Sequence, residues 1–248
     1  MYKIYATLLD TFQSYLDSSE LWQEYWGFSE DPSKTEEEFE REQFQSVIDR
    51  INRVPFDSEA ADRGTAFNEV VDCIIDHRVS EKMDIKSNHE DNTITVVYNG
   101  RTFVFPLKDT AIYARLFTGA ITQQYTEAIL PTKHGDVLLY GYIDELMPHS
   151  VHDIKTTSKY KAGKFRKHWQ KAAYPYCLNE NGNMVYDFEY NVVLFDRSGG
   201  FTTFDEYYRY NEKAKEAMRS HVEALIEFIE LNKDLITDQK IFGHDPTV

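Results

Sequence analysis

Gly141-Tyr142-Ile143-Asp144 and, after a short polar turn, His152-Asp153-Ile154-Lys155-Thr156-Thr157 decide how this chain folds. Residues 136–144 and 150–156 read as consecutive strands. The eight residues between Asp144 and Asp153 let one strand end, turn, and bring the second carboxylate beside the first. Strand alternation sets Asp153 and Lys155 on one face and turns Ile154 to the other. Two carboxylates and an amine then converge, a donor set suited to Mg²⁺, which is usually held by one or two carboxylates, waters and phosphate oxygens. A lysine beside such a cation can steer or activate a water. The expected chemistry is metal-dependent phosphodiester hydrolysis. The competing reading makes each carboxylate a strand-end residue in a turn or salt bridge, with Lys155 its partner.

Working outward, residues 8–27 and about 35–52 carry apolar positions at helical spacing, and Glu36-Glu37-Glu38 suits the start of the second helix dipole. Pro55 to Gly64 reads as a polar connector and Thr65 to about Arg78 as the next helix. Residues 93–98 and 101–107 alternate around Asn99-Gly100, a strong hairpin signal, and a helix follows from about Asp109 to Thr118. A strand at 126–131 precedes the two that carry the motif. A basic helix is expected over about 161–179, then strands near 185–195 and 201–204 joined by Arg197-Ser198-Gly199-Gly200. A long amphipathic helix from about Asp205 to Asn232 follows. Apolar positions on both faces of the motif strands predict an α/β fold, a mixed central sheet covered by helices on each side. The expected organisation is an N-terminal helical extension, 1–62, packed on a core of 63–248.

These motifs resemble the PD-(D/E)XK nuclease superfamily, in its RecB-like branch. The resemblance rests on Gly-Tyr-Ile-Asp at 141–144, Asp-Ile-Lys-Thr-Thr at 153–157, the Gln170 and Tyr174 pair four residues apart on the following helix, and Arg63-Gly64-Thr65-Ala66-Phe67-Asn68 upstream. It covers roughly residues 63–178, in the family's order. Two positions depart from the pattern: Ile143 replaces the proline, and Asn68 stands where a histidine or glutamate ligand is usual. The resemblance implies a restriction-endonuclease-like core with Asp144, Asp153 and Lys155 as catalytic residues. It also implies a Mg²⁺ or Mn²⁺ ion on Asp144, Asp153, the Ile154 carbonyl and Asn68. Gln170 and Tyr174 would contact DNA or support the site. Asn68 is a neutral ligand at best; the adjacent Glu69 points about 100° away on a helix and cannot replace it.

The formal charge of −15 looks ill-suited to a DNA-binding protein. Its distribution changes that. Residues 154–179 hold Lys155, Lys159, Lys161, Lys164, Arg166, Lys167 and Lys171 and no acid, a local +7 that leaves −22 for the remainder. A basic segment directly after the metal motif is a directed electrostatic footprint, with Lys159, Lys164 and Lys167 as candidate phosphate contacts. A lysine-rich solvated helix face is the plainer alternative.

Cys73 and Cys177 are the only cysteines, too few for an iron–sulfur cluster, and read as free thiols. His149 and His152 form no His-Glu-x-x-His or Cys/His metal spacing, and neither a serine-hydrolase elbow nor a phosphate-binding P-loop occurs. Nothing spans a membrane, and the start of the chain lacks a signal-peptide pattern, so a cytoplasmic location is expected. The expected function is a Mg²⁺- or Mn²⁺-dependent deoxyribonuclease. Its form would be a RecB-like exonuclease in recombination, repair or phage DNA metabolism, acting on DNA with a helicase or recombination protein as a possible partner. The alternatives are a nuclease-fold DNA-binding module with decayed activity, and an acidic protein that mimics DNA.

Overall fold

The computed structural model describes residues 1–196 and 199–243. Its centre is a mixed sheet, six-stranded among the described residues, of β1 (Tyr2–Tyr5), β5 (Ile121–Thr132), β6 (Gly135–Leu146), β7 (Ser150–Thr157), β8 (Asp187–Phe195) and β9 (Phe201–Arg209). Their order is β1-β6-β7-β8-β9, with β5 also paired to β6. A small antiparallel sheet joins β2 (Asp84–Asn88), β3 (Thr93–Tyr98) and β4 (Arg101–Pro106). The helices are α1 (Ala6–Leu16), α2 (Ser18–Trp26), α3 (Glu36–Ile51), α4 (Glu59–Ile75), α5 (Leu107–Ala114), α6 (Gln170–Glu180) and α7 (Glu212–Leu231).

Each face of the central sheet has its own core. On one, Leu139, Ile143, Val151 and Val192 pack with Leu8, Phe12, Tyr176 and Leu225 from the α1, α6 and α7 layer. On the other, Ile154 and Val193 pack with Phe67, Val71, Phe103, Phe105 and Tyr113 from α4, β4 and α5. The mixed, doubly covered sheet expected from the apolar pattern is therefore present, with a small sheet sharing the cover on the second face. The Asn99-Gly100 hairpin is also present: both turn residues have positive φ, 47° and 73°, and Tyr98 faces Arg101.

Several boundaries differ from the periodicity. The opening segment is not all helix: Tyr2–Tyr5 is an edge strand of the central sheet, with Ile4 beside Leu139 in parallel register. Four residues give too little alternation to be read without the partner strand. The helix expected over 8–27 breaks at Asp17 into α1 and α2. α4 starts at Glu59, before the expected Thr65, because the Ser58 hydroxyl caps it by accepting the Ala61 N–H at 3.3 Å.

The basic stretch 161–169 is a chain of turns, and helix begins only at Gln170. Gly163 lies at φ +79°, and the buried Glu206 carboxylate ties the loop down. It accepts the Gly163 N–H at 3.0 Å, the Phe165 N–H at 3.3 Å and the Tyr160 hydroxyl at 2.9 Å. β9 runs through Arg209 where helix was expected from Asp205, and α7 waits for Asn211, whose side chain caps it. Of the expected Arg197-Ser198-Gly199-Gly200 connector, Arg197 and Ser198 lie outside the described residues.

Candidate active site

β6 and β7 pair at only two rungs, Glu145 with His152 and Leu146 with Val151. Just past them the Asp144 Oδ2 accepts the Ile154 N–H at 3.0 Å and the Asn68 side-chain amide at 3.3 Å. The motif strands and α4 are thereby fastened at one carboxylate oxygen. Asp153 and Lys155 share a face of β7, as alternation requires, with Lys155 Nζ 2.5 Å from Asp153 Oδ2. Gln170, the first residue of α6, accepts from Lys155 at 2.8 Å and donates to Asp153 Oδ1 at 2.7 Å and to the Tyr174 hydroxyl at 3.2 Å.

The motif glycines are required by close approach. A Cβ on Gly141 would sit 2.6 Å from Tyr174 Cε1, so glycine is what lets α6 lie against β6 at this level. A Cβ on Gly64 would meet Thr156 Oγ1 at 2.8 Å, and its absence seats α4 on β7. Gln170 and Tyr174 are buried, each 3% exposed. Both side chains point inward, Gln170 bonded to Asp153 and Lys155 and Tyr174 to Gln170.

Burial raises the Asp144 pKa above the usual carboxylate range, and the Asp153 charge adds to that; Lys155 and the Ile154 N–H oppose it. Burial pulls Lys155 down, but Asp153, Asp144 and Asp10 more than offset this and hold its pKa above the ordinary value. Three acids at the site escaped sequence reasoning. Asp10, on α1, accepts the Trp169 N–H at 2.5 Å, and burial pushes it up to about 7 against that bond and Lys155. Asp72, one helical turn after Asn68, is pushed up to about 7 by burial, while a Gln123 hydrogen bond opposes the shift. Glu145 is fully buried, has no partner for either oxygen among the described residues, and is raised well above normal by burial, Asp144 and Asp72. A lone acid in a helix or strand gives no signal of such burial; only Glu145 stood beside a motif residue.

No group of three or more His, Cys, Asp or Glu side chains could by itself hold a metal ion among the described residues. The donors present still fit Mg²⁺ or Mn²⁺. Two carboxylates lie at the site, and Asn68 Oδ1 is a buried oxygen with no hydrogen-bond partner among the described residues. Mg²⁺ sites commonly have one or two carboxylates and take their remaining oxygens from water and phosphate.

The basic segment borders the site but is largely engaged. Lys167 pairs with Asp17 at 3.1 Å and Glu20 at 2.5 Å, and Lys161 with Glu24 at 3.6 Å. Lys164 donates to Thr157 Oγ1 at 2.7 Å and to the Lys159 carbonyl at 2.9 Å, and burial lowers its pKa. Lys159 is exposed and has no ion pair among the described residues. Cys73 and Cys177 are free thiols. Among the described residues no helix is long and apolar enough to cross a membrane.

No model of a known protein family matches the chain, and no curated protein matches it. Among solved structures, the protein SSO0001 is similar at 12% identity and a TM-score of 0.46, covering 92% of this chain and 77% of that one. A protein of Eubacterium rectale, provisionally named an exonuclease, is similar at 12% identity and a TM-score of 0.47, covering 91% and 85%. Likenesses this distant carry no weight for the chemistry, which rests on the geometry above.

Proposed function

We propose that this protein is a metal-dependent deoxyribonuclease of the RecB-like PD-(D/E)XK type, an exonuclease in recombination, repair or phage DNA metabolism. The observation that carries the reading is that Asp144 accepts the Ile154 N–H while Asp153, Lys155, Gln170 and Tyr174 are joined in one hydrogen-bonded and ion-paired set. These are the candidate catalytic and supporting residues of β6, β7 and α6. Asp144 and Asp153, with the Asn68 amide oxygen and the Ile154 carbonyl, would hold one Mg²⁺ or Mn²⁺. Such an ion polarises a phosphodiester and acidifies a bound water. Lys155, kept cationic by its carboxylate neighbours, orients the attacking water and stabilises negative charge on the scissile phosphate. Gln170 fixes Lys155 and Asp153 relative to each other, and Tyr174 fixes Gln170. DNA is the substrate, and a helicase or recombination protein is a partner of the right kind.

Linear and circular DNA, single- and double-stranded, incubated with Mg²⁺, Mn²⁺ or EDTA test the proposal. Cleavage that needs the metal and disappears in Lys155→Ala supports it. No cleavage of any substrate under any condition, or cleavage unchanged by Lys155→Ala, overturns it.

A further inference from the structure

The β6 face that carries Asp144 continues away from the site as a row of tyrosines, exposed at Tyr142 and Tyr125 and half-buried at Tyr140 and Tyr5. Alternation sets Tyr140, Tyr142 and Asp144 on one face while Leu139 and Ile143 fill the α1/α6/α7 core on the other. Tyr142 is thus one strand repeat, about 7 Å, from Asp144. The register adds Tyr125 of β5 directly opposite Tyr142, and Tyr5 of β1 opposite Tyr140. The rings are contiguous: centroids lie 5.2 Å apart for Tyr125 and Tyr142, 6.3 Å for Tyr125 and Tyr140, and 6.1 Å for Tyr5 and Tyr140. Tyr142 is 58% exposed and Tyr125 41%. The far end is closed by the Arg53 guanidinium, which lies 5.5 Å over the Tyr5 ring, donates to the Tyr140 hydroxyl at 2.8 Å and pairs with Asp238 at 2.9 Å.

Two exposed aromatic rings in contact, Tyr125 and Tyr142, offer an apolar binding surface beside the site. Two features select its occupant. The rings offer π-faces, which any nucleobase can stack on without sequence preference. The row also leads along one strand to the carboxylate placed at the reacting phosphate. Duplex bases are stacked on each other and cannot use such a surface; unpaired ones can. Glu127, also on this face, has its carboxylate engaged by the Tyr125 hydroxyl.

We propose that the Tyr5, Tyr125, Tyr140 and Tyr142 face is a base-stacking track that holds the unpaired strand of a DNA substrate and delivers it to Asp144. This deepens the nuclease reading and rests on it for the direction of travel. The stacking itself is tested without any metal. Binding of a fluorescent oligo-dT and of a blunt duplex is measured by anisotropy in EDTA for wild type, Tyr142→Ala, Tyr142→Phe and Tyr125→Ala, with circular dichroism to verify folding.

The expected result is that Tyr142→Ala weakens oligo-dT binding by about 5- to 100-fold, the range for loss of one base–aromatic stack. Tyr142→Phe should stay near wild type, and duplex affinity should be unchanged in all variants. Folded Tyr142→Ala and Tyr125→Ala proteins that bind oligo-dT like wild type overturn the track, as does a wild type that binds no single strand in EDTA. A face used for self-association, seen as a wild-type dimer that Tyr142→Ala converts to monomer, overturns it as well. Loss of cleavage with stacking retained would instead count against the nuclease reading alone.

Discussion

The side-chain amide of Gln170 donates to Asp153 Oδ1 at 2.7 Å from the first position of α6. Its oxygen meanwhile accepts from Lys155, so one residue sets the spacing of the acid and the amine. Gln170→Ala should leave the fold intact and lower kcat by about 10- to 100-fold, the range for loss of a group that orients a site residue. Gln170→Glu should not restore activity, because a carboxylate beside Asp153 replaces a donor with a repulsive charge. Single-turnover cleavage at saturating metal makes the measurement. A wild-type rate in Gln170→Ala would remove it from the site's support.

Asn68 donates through its nitrogen to Asp144, while its oxygen is buried without a partner among the described residues. If that oxygen faces the cation, Asn68→Glu lowers the Mg²⁺ concentration for half-maximal activity and Asn68→Ala raises it, since ligand charge sets affinity for hard cations. Asn68→Glu also places a second carboxylate against Asp144, so the metal-free variant should melt below wild type and regain stability as Mg²⁺ is added. A metal titration unmoved by both substitutions would place Asn68 outside the coordination sphere.

Within the basic loop, Lys159 has no ion pair among the described residues, whereas Lys167 is held by Asp17 and Glu20. A lysine that meets a duplex phosphate contributes roughly 0.9 to the slope of log affinity against log salt. Lys159→Ala should reduce the slope by about that amount in Ca²⁺, with little dependence on sequence. Lys167→Ala should change it less, because any phosphate must compete with two carboxylates. A larger loss from Lys167→Ala than from Lys159→Ala would show that those ion pairs open when DNA binds.

His221 is buried between layers: its Nε2 lies 2.9 Å from the Leu9 carbonyl, and its ring stacks on Trp169 at 4.4 Å. Burial lowers its pKa to about 4, against the Leu9 bond and the Asp17 charge, which favour protonation. The unfolded chain therefore takes up this proton first as pH falls, and stability contributed by the neutral ring is lost between about 6.5 and 4. The slope from one such group is about 1.4 kcal/mol per pH unit. Urea unfolding from pH 7 to 4 should show His221→Gln less sensitive to acid than wild type, even if less stable at pH 7. Parallel pH profiles would show that His221 does not set the acid response.

Elements whose signal is local are legible along the chain. Asn99-Gly100 needs only its own backbone conformation to make a hairpin, and the apolar runs flanking Asp144 and Asp153 needed burial on two faces whatever covered them. Period-2 alternation likewise put Asp153 and Lys155 side by side before any partner was known. Tertiary structure decided the rest, because the causes lie far along the chain. Tyr2–Tyr5 is a strand only through pairing with β6, and 161–169 is a loop because Glu206, some forty residues later, takes its N–H groups. The tyrosine row unites β1, β5 and β6, and Asp10, Asp72 and Glu145 join the site from α1, α4 and β6. Charge and burial at a carboxylate depend on what packs over it, which no spacing along the chain encodes; only the folded arrangement set those pKa values and the face that leads to Asp144.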